Sequence, residues 1–70
     1  MLYDTELFSQ VLRHTRAYFE LEYEAGTREM IYRYVCKKMS DVPPKMISAA
    51  LVVLRDDAKI IFEKRVWWSV

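Results

Sequence analysis

The sequence predicts a mainly α domain of three helices, followed by a short C-terminal β-strand or hairpin. Apolar residues recur at helical spacing from the start of the chain to Asp57. A Ser-Asp-Val-Pro-Pro stretch at residues 40–44 interrupts that pattern, because a residue before proline is pushed out of helical geometry. After Asp57 the chain becomes rich in β-branched and aromatic residues, which favour strands.

The length and composition of the chain limit how large its hydrophobic core can be. The 70 residues make one domain, residues 1–70, and a chain of this length buries only about 60% of its unfolded surface. The sequence is 53% hydrophobic with one glycine and two prolines, which excludes a disordered chain. This is more apolar side chain than one small core requires. The excess either makes the core dense or forms an interface, and we expect a homodimer.

The first helix is predicted over Asp4–Glu24. Asp4 or Thr5 can accept hydrogen bonds from the first-turn amides, and Glu6 suits the positive end of the helix dipole. Ala25-Gly26 is expected to end the helix, because glycine tolerates the left-handed conformation found at helix C-termini. The apolar residues at helical spacing are Leu7, Phe8, Val11, Leu12, Tyr18 and Phe19.

The second helix is predicted over residues 28–39, and Thr27 directly before it can act as its N-cap. Met30, Val35 and Met39 are predicted to face the core because of their helical spacing. Residues 40–43 then form the turn into the next helix, with Val42 and Pro43 extended.

The third helix is predicted over residues 44–57, with Pro44 in its first turn, where a missing amide costs nothing. Its main apolar stripe contains Met46, Ile47, Ala50, Leu51 and Leu54. Val52 and Val53 widen this stripe beyond one face. The helix is therefore either buried on most sides or presents apolar surface to a partner.

Residues 59–63 and 66–70 have strand composition. Glu63-Lys64-Arg65 between them lacks Gly, Asn and Pro, so a tight two-residue turn is not indicated. One long strand and two strands joined by an imperfect turn are both open. Trp67 and Trp68 are neighbours, and neighbouring strand residues face opposite ways. One ring is expected in the core, and the other is a candidate anchor for a partner.

Charge divides the chain unevenly. The net charge is +1, but residues 1–26 carry two basic and five acidic side chains, a balance of −3. Residues 27–70 carry nine basic and five acidic side chains, a balance of +4. A polyanion should therefore prefer the second half of the chain.

The residues that enzymatic sites require are scarce. The chain has one histidine, His14, and the positive charges of Arg13 and Arg16 beside it disfavour its protonated form. Without a second histidine or cysteine nearby, no transition-metal site has a recognisable spacing. The single glycine rules out a glycine-rich phosphate loop. We expect no enzyme, no metal and no cofactor.

A cytoplasmic location is predicted. The single cysteine, Cys36, can form no intrachain disulfide, suits a reducing compartment and is expected to be a buried small hydrophobe. The N-terminal MLYDTELF lacks a basic region followed by an apolar run, so it is not a secretion signal. Charged residues interrupt every apolar stretch before it reaches the ~18 residues of a membrane span, so no membrane is expected.

The order of elements over residues 27–65 is helix, proline-bearing turn, helix and strand. The stretch ISAALVVLRDDAKIIF, with Leu51 and Leu54 near the helix end, resembles the second half of a winged helix-turn-helix DNA-binding domain. The resemblance implies a winged-helix-like domain in which residues 44–57 are the recognition helix. KIIFEKRVWW would then be the strand and basic wing. The turn departs from the family in having Val42-Pro43-Pro44 where a glycine or small residue is common.

Two functions follow from these observations. The first is a small DNA-binding regulator or accessory factor that contacts duplex phosphates through its basic second half. The candidate nucleic-acid-binding residues are Lys37, Lys38, Lys45, Ser48, Arg55, Lys59, Lys64 and Arg65. The alternative is a protein-binding adaptor or inhibitor that uses an exposed apolar and aromatic surface, without nucleic acid. The candidate partner-binding residues are Val52, Trp67 and Trp68.

Overall fold

A computed structural model describes residues 5–70, apart from the side chain of Glu22. Its elements are α1 (Thr5–Ala17), a π-helical turn (Tyr18–Glu22), β1 (Ala25–Gly26), α2 (Arg28–Lys38), α3 (Pro44–Asp56), β2 (Ile60–Glu63) and β3 (Val66–Ser69). Three helices followed by an antiparallel C-terminal hairpin confirm the predicted fold class. The predicted N-cap Asp4 lies outside the described residues. No helix in the described part of the chain combines the length and apolar character that crossing a membrane requires.

The hydrophobic core forms where the three helices meet one face of the sheet. Its apolar residues with no exposed surface are Val11, Ile31, Val35, Ile47 and Ala50. The predicted stripe of α3 is buried along its whole length, so α3 is the central helix. Cys36 is half-buried and packs at the border of this core.

The strands form an antiparallel sheet in the order β1-β3-β2. Residues directly opposite each other share a face, and successive residues alternate. Ile60 is buried, so its face packs against the helices, and Phe62 with its opposite residue Trp67 lies on this inner face. Ile61 and its opposite residue Trp68 lie on the outer face.

The end of the first helix differs from the prediction. The α-helix stops at Ala17 and continues as the wider π-helical turn, closed by the Tyr23 N–H donating to the Tyr18 carbonyl at 2.9 Å. Gly26 does not form a left-handed helix end, because it is extended in β1 and no glycine has a positive φ. The Tyr18 hydroxyl donates to the Ala25 carbonyl at 2.9 Å and occupies the space that a β-carbon of residue 26 would need. Residue 26 must therefore be glycine because the Tyr18 ring lies too close for a side chain, and not because the backbone there is left-handed.

The second helix keeps its predicted start. Thr27 is extended, and its hydroxyl accepts a hydrogen bond from the Met30 N–H at 3.2 Å, which confirms the N-cap. The prediction that Met30 faces the core is wrong, since 49% of it is exposed. The buried residues of α2 are Ile31 and Val35, and Met30 projects roughly 120° away from the line between them.

The C-terminal segment is two strands joined by the two-residue turn Lys64-Arg65. Both turn residues have a positive φ, 52° and 64°, as a type I′ hairpin turn requires. The composition had not indicated this turn because Asn and Gly usually occupy such positions. Pairing of β2 with β3 holds Lys64 and Arg65 in this left-handed conformation, which costs an ordinary residue roughly 1 kcal/mol or more.

Candidate nucleic-acid interface

A groove of about 380 Å³ runs between α3, the first turn of α2 and the hairpin; below it is called the basic groove. Its lining residues are Arg28, Ser48, Leu51, Val52, Arg55, Phe62, Arg65 and Trp67. Five of the residues predicted as binding residues from the sequence therefore meet in one place: Ser48, Val52, Arg55, Arg65 and Trp67.

The wall formed by α3 follows from its buried stripe. Because the apolar face packs into the core, the residues on the opposite side of the helix point outward. Ser48, Val52 and Arg55 are spaced by four and three residues, so they lie on one line along the helix. Lys45, exposed in the first turn of α3, continues this line three residues earlier.

Positive charge converges on the basic groove from three elements. Arg28 begins α2, Arg55 lies in the last turn of α3, and Arg65 is in the hairpin turn. The lining contains no carboxylate side chain. The Nη1 of Arg28 donates to the Ser48 hydroxyl at 3.3 Å, which ties the start of α2 to α3.

The guanidinium of Arg55 remains available for a ligand. Its Nε lies 3.6 Å from the Asp56 carboxylate, and both side chains are more than half exposed. An exposed ion pair of this kind contributes about 1 kcal/mol or less. A phosphate, which accepts two parallel N–H bonds from a guanidinium, would compete well with it.

An aromatic pair forms the side of the basic groove nearest the sheet. The Phe62 and Trp67 ring centroids are 4.6 Å apart with planes tilted by 42°. Trp67 is half-buried and packs on the core, whereas 51% of Phe62 is exposed. Trp68, on the outer face, is 40% exposed, and its indole N–H donates to the Glu63 carbonyl at 3.3 Å. The two rings therefore lie on opposite faces of the sheet, and Trp67 packs against the core without being buried in it.

Of the other predicted basic residues, Lys64 lies next to the basic groove and Lys59 lies away from it. Lys64 is exposed in the turn beside Arg65. Lys59 is exposed but lines cavities on the α1 side of the molecule, together with Arg16 and Leu54. It is not part of the basic groove.

The structure does not bring Lys37 and Lys38 to the basic groove. Lys37 is nine residues from Arg28 along α2, which corresponds to roughly 13 Å along the axis and the opposite side of the helix. It lines a separate aromatic cleft formed by Tyr18, Tyr23, Met30, Arg33 and Tyr34. The Lys38 Nζ lies 5.4 Å from the ring centroid of Tyr34, within range of a cation–π contact.

Three lining residues of the basic groove were not among the predicted binding residues: Leu51, which was predicted in the core, Arg28 and Phe62. Arg28 directly follows the N-cap, so its position in the first turn was predictable. Its proximity to Ser48 was not, because that depends on how α2 packs on α3. Phe62 is opposite Trp67 only because the turn has two residues, and the composition gave no indication of this turn length.

His14 does not contribute to the basic groove. Burial lowers its pKa from the ordinary value, and the positive charges of Arg13 and Lys38 lower it further. Arg16 was predicted, together with Arg13, to be a positively charged neighbour of His14. Its Nε instead pairs with the Glu20 carboxylate at 2.7 Å. Across residues 5–70, no group of three or more His, Cys, Asp or Glu side chains is arranged to hold a metal ion.

No protein-family model, curated protein or solved structure matches this chain. The chemistry of the basic groove is therefore the basis for inferring a function.

Proposed function

We propose that this domain is a small DNA-binding regulator or accessory factor that places α3 in the major groove of duplex DNA. The observation that carries the proposal is the convergence of Arg28, Arg55 and Arg65 from three elements on a groove without carboxylates. Arginine is the residue best suited to phosphate, because its planar fork donates two parallel hydrogen bonds.

The order of elements supports the same function. The helices α2 and α3, joined by a short proline-bearing turn and followed by a hairpin with a basic tip, match the resemblance to winged helix-turn-helix domains. In helix-turn-helix proteins, the N-terminal residues of the second helix contact base edges. Lys45 and Ser48 occupy that part of α3 and offer donors to bases.

The remaining residues would position the domain on the duplex. Arg28, Arg55 and Arg65 would contact phosphates on either side of α3, joined by Lys64 at the hairpin tip. Val52, in the middle of the exposed line, can offer only an apolar contact, such as one with a thymine methyl group.

The hairpin backbone gives independent support. Lys64 and Arg65 have the left-handed backbone that Asn and Gly adopt at lower cost. A strained backbone retained at an exposed tip indicates that the side chains serve a purpose other than stability.

The test is the salt dependence of binding to random duplex DNA. If about four phosphates are contacted, affinity should fall roughly 100-fold between ~50 and ~200 mM salt. The Arg55→Ala/Arg65→Ala variant should lower the slope of log affinity against log salt by about 2. The Lys37→Ala/Lys38→Ala variant removes the same charge on the far side of α2 and should leave the slope unchanged. Absence of binding at low salt, or equal effects of the two variants, would contradict the proposal.

The second candidate function is protein binding at the same groove. Val52 and Phe62 are 40% and 51% exposed there, and together with the arginines they would suit a partner segment that is both apolar and acidic. Phe62→Ala separates the two functions. It should weaken a protein complex by about 2 kcal/mol or more, whereas phosphate-dominated DNA binding should keep its salt slope.

A further inference from the structure

The π-helical turn brings two tyrosine rings together. Its hydrogen bond joins the Tyr18 carbonyl to the N–H of Tyr23, five residues later, whereas an α-helix would join residues 18 and 22. The two ring centroids are 4.8 Å apart, and the ring planes are tilted by 33°. Turns of this kind are rare and occur frequently at functional sites. The turn therefore sets a tyrosine beside Tyr18 where a regular α-helix would set residue 22.

Tyr23 is the exposed ring of this pair. Tyr18 is only 1% exposed, and its hydroxyl donates to the Ala25 carbonyl, so this ring is fixed in place. Tyr23, in contrast, is 51% exposed. An exposed ring that is supported by a buried one is a platform on which another flat ring can stack.

One face of α2 forms the other side of the aromatic cleft. Met30, Tyr34 and Lys37 are spaced by four and three residues, so they lie along one face, and Arg33 lies beside them. Tyr34 meets Tyr18 edge to face at a centroid distance of 5.3 Å. The volume of the cleft is about 210 Å³, below the roughly 300 Å³ at which pockets begin to enclose a whole small molecule. It suits a single flat ring system whose attached chain stays outside.

Positive charge surrounds the aromatic cleft. Arg33 and Lys37 line it, the Lys38 Nζ lies 5.4 Å from the ring centroid of Tyr34, and the lining contains no carboxylate side chain. Lys37 forms no ion pair within the described part of the chain. Arg33 shares with Glu29 an exposed ion pair of 3.1 Å, which is weak enough for a phosphate to displace. This charge opposes the cationic ligands that aromatic rings otherwise bind and favours a ligand that is aromatic and anionic.

We propose that the aromatic cleft binds an unpaired nucleotide of a single-stranded nucleic acid. The base stacks on Tyr23 beside Met30, and the adjoining phosphates pair with Lys37 and Arg33. An exposed aromatic ring together with basic side chains is the means by which proteins hold single strands without reading their sequence. A duplex cannot use this site, because its bases are already stacked and paired. The site goes beyond the proposed duplex binding, and it lies on the other side of α2 from the basic groove.

The experiment compares two probes that carry the same phosphates. One is a labelled oligothymidylate of ~8 nucleotides, and the other is an abasic oligonucleotide of the same length and label. Fluorescence anisotropy at ~50 mM salt measures both affinities. The wild type should bind the oligothymidylate about tenfold more tightly, because only this probe has a base that can stack. An oligouridylate of equal length, measured in parallel, shows whether the site prefers DNA or RNA.

Substitutions then locate the stacking ring. Tyr23→Leu keeps an apolar side chain but removes the ring, so it should weaken oligothymidylate binding about tenfold and leave the abasic affinity unchanged. Tyr23→Phe keeps the ring and should bind both probes like the wild type. Phe62→Leu is the matched control, because Phe62 is equally exposed at 51% but lies in the basic groove. Lys37→Ala should weaken the binding of both probes by the same factor, because it removes a phosphate contact.

The two nucleic-acid sites can fail independently. Arg55→Ala/Arg65→Ala alters only the basic groove, so the preference for oligothymidylate over the abasic probe should persist in it, whether or not the wild type binds duplex DNA. Circular dichroism of each variant establishes that it is folded. Equal binding of both probes by the wild type would overturn the proposal, in favour of an acidic protein segment as the occupant. A preference that survives Tyr23→Leu, or one that Phe62→Leu also abolishes, would overturn it too.

Discussion

Replacing the two residues of the hairpin turn tests both the strain of their backbone and their proposed role in DNA binding. The change Lys64→Asn/Arg65→Gly keeps the two-residue turn but introduces the residues that a left-handed backbone favours. A left-handed backbone costs an ordinary residue roughly 1–2 kcal/mol, so the pair should recover about 2 kcal/mol. The greater freedom of glycine in the unfolded chain takes back about 0.5–1 kcal/mol. The net gain should be about 1 kcal/mol.

That gain should be easy to measure in so small a domain. Total stability for this length is roughly 4–10 kcal/mol, and 1 kcal/mol raises the Tm of such a domain by about 4–8 °C. Thermal unfolding followed by circular dichroism measures the shift. In parallel, if the proposed function is right, duplex DNA affinity at ~100 mM salt should fall roughly tenfold, because the change removes two charges proposed to contact phosphates. An unchanged or lower Tm would refute the strain argument. A higher Tm with unchanged DNA affinity would refute the role of the hairpin tip in binding.

Three further predictions concern the packing of Gly26, the packing of the two tryptophans and the titration of His14. Gly26→Ala should destabilise the fold by about 2–3 kcal/mol, because the added methyl collides with the Tyr18 ring; a urea midpoint equal to that of the wild type would contradict this. Trp67→Ala should cost about 3 kcal/mol, whereas Trp68→Ala should cost about 1 kcal/mol or less, and equal losses in urea unfolding would show that both rings are packed. Because the folded state lowers the pKa of His14, the unfolded chain takes up the proton more readily. The contribution of His14 to the free energy of unfolding is therefore fully present above pH ~6.5, and it is lost as the pH falls below that value. His14→Gln should flatten the profile of stability between pH ~7 and ~5, and a profile unchanged by the substitution would count against the pKa shift.

Much of the helical structure was predictable because its determinants are local. Thr27 caps α2 through a hydrogen bond to an amide three residues away, and Pro44 starts α3 where its missing amide costs nothing. The buried stripe of α3 follows from spacing within one helix. That stripe also determines its exposed side, so Ser48 and Arg55 were predictable as surface residues.

Assembly of the basic groove was only partly predictable. Arg65 and Arg55 were both identified as candidate residues, but nothing in the sequence indicated that they would share a groove with Arg28. Lys37 had the same charge and looked equally suitable, yet it lies on the opposite side of α2. Which basic residues converge depends on helix packing and on the length of the hairpin turn.

The sequence by itself determined the fold class, the order and approximate bounds of the helices, and the strand character of the C-terminus. Those properties depend on hydrophobic spacing, caps and prolines, which act over a few residues. Only the tertiary structure decided the features that depend on distant neighbours. The two-residue strand β1 exists because β3 lies beside it, and Gly26 is required because the Tyr18 ring passes over it. Such contacts join residues far apart in the chain, and no local pattern records them.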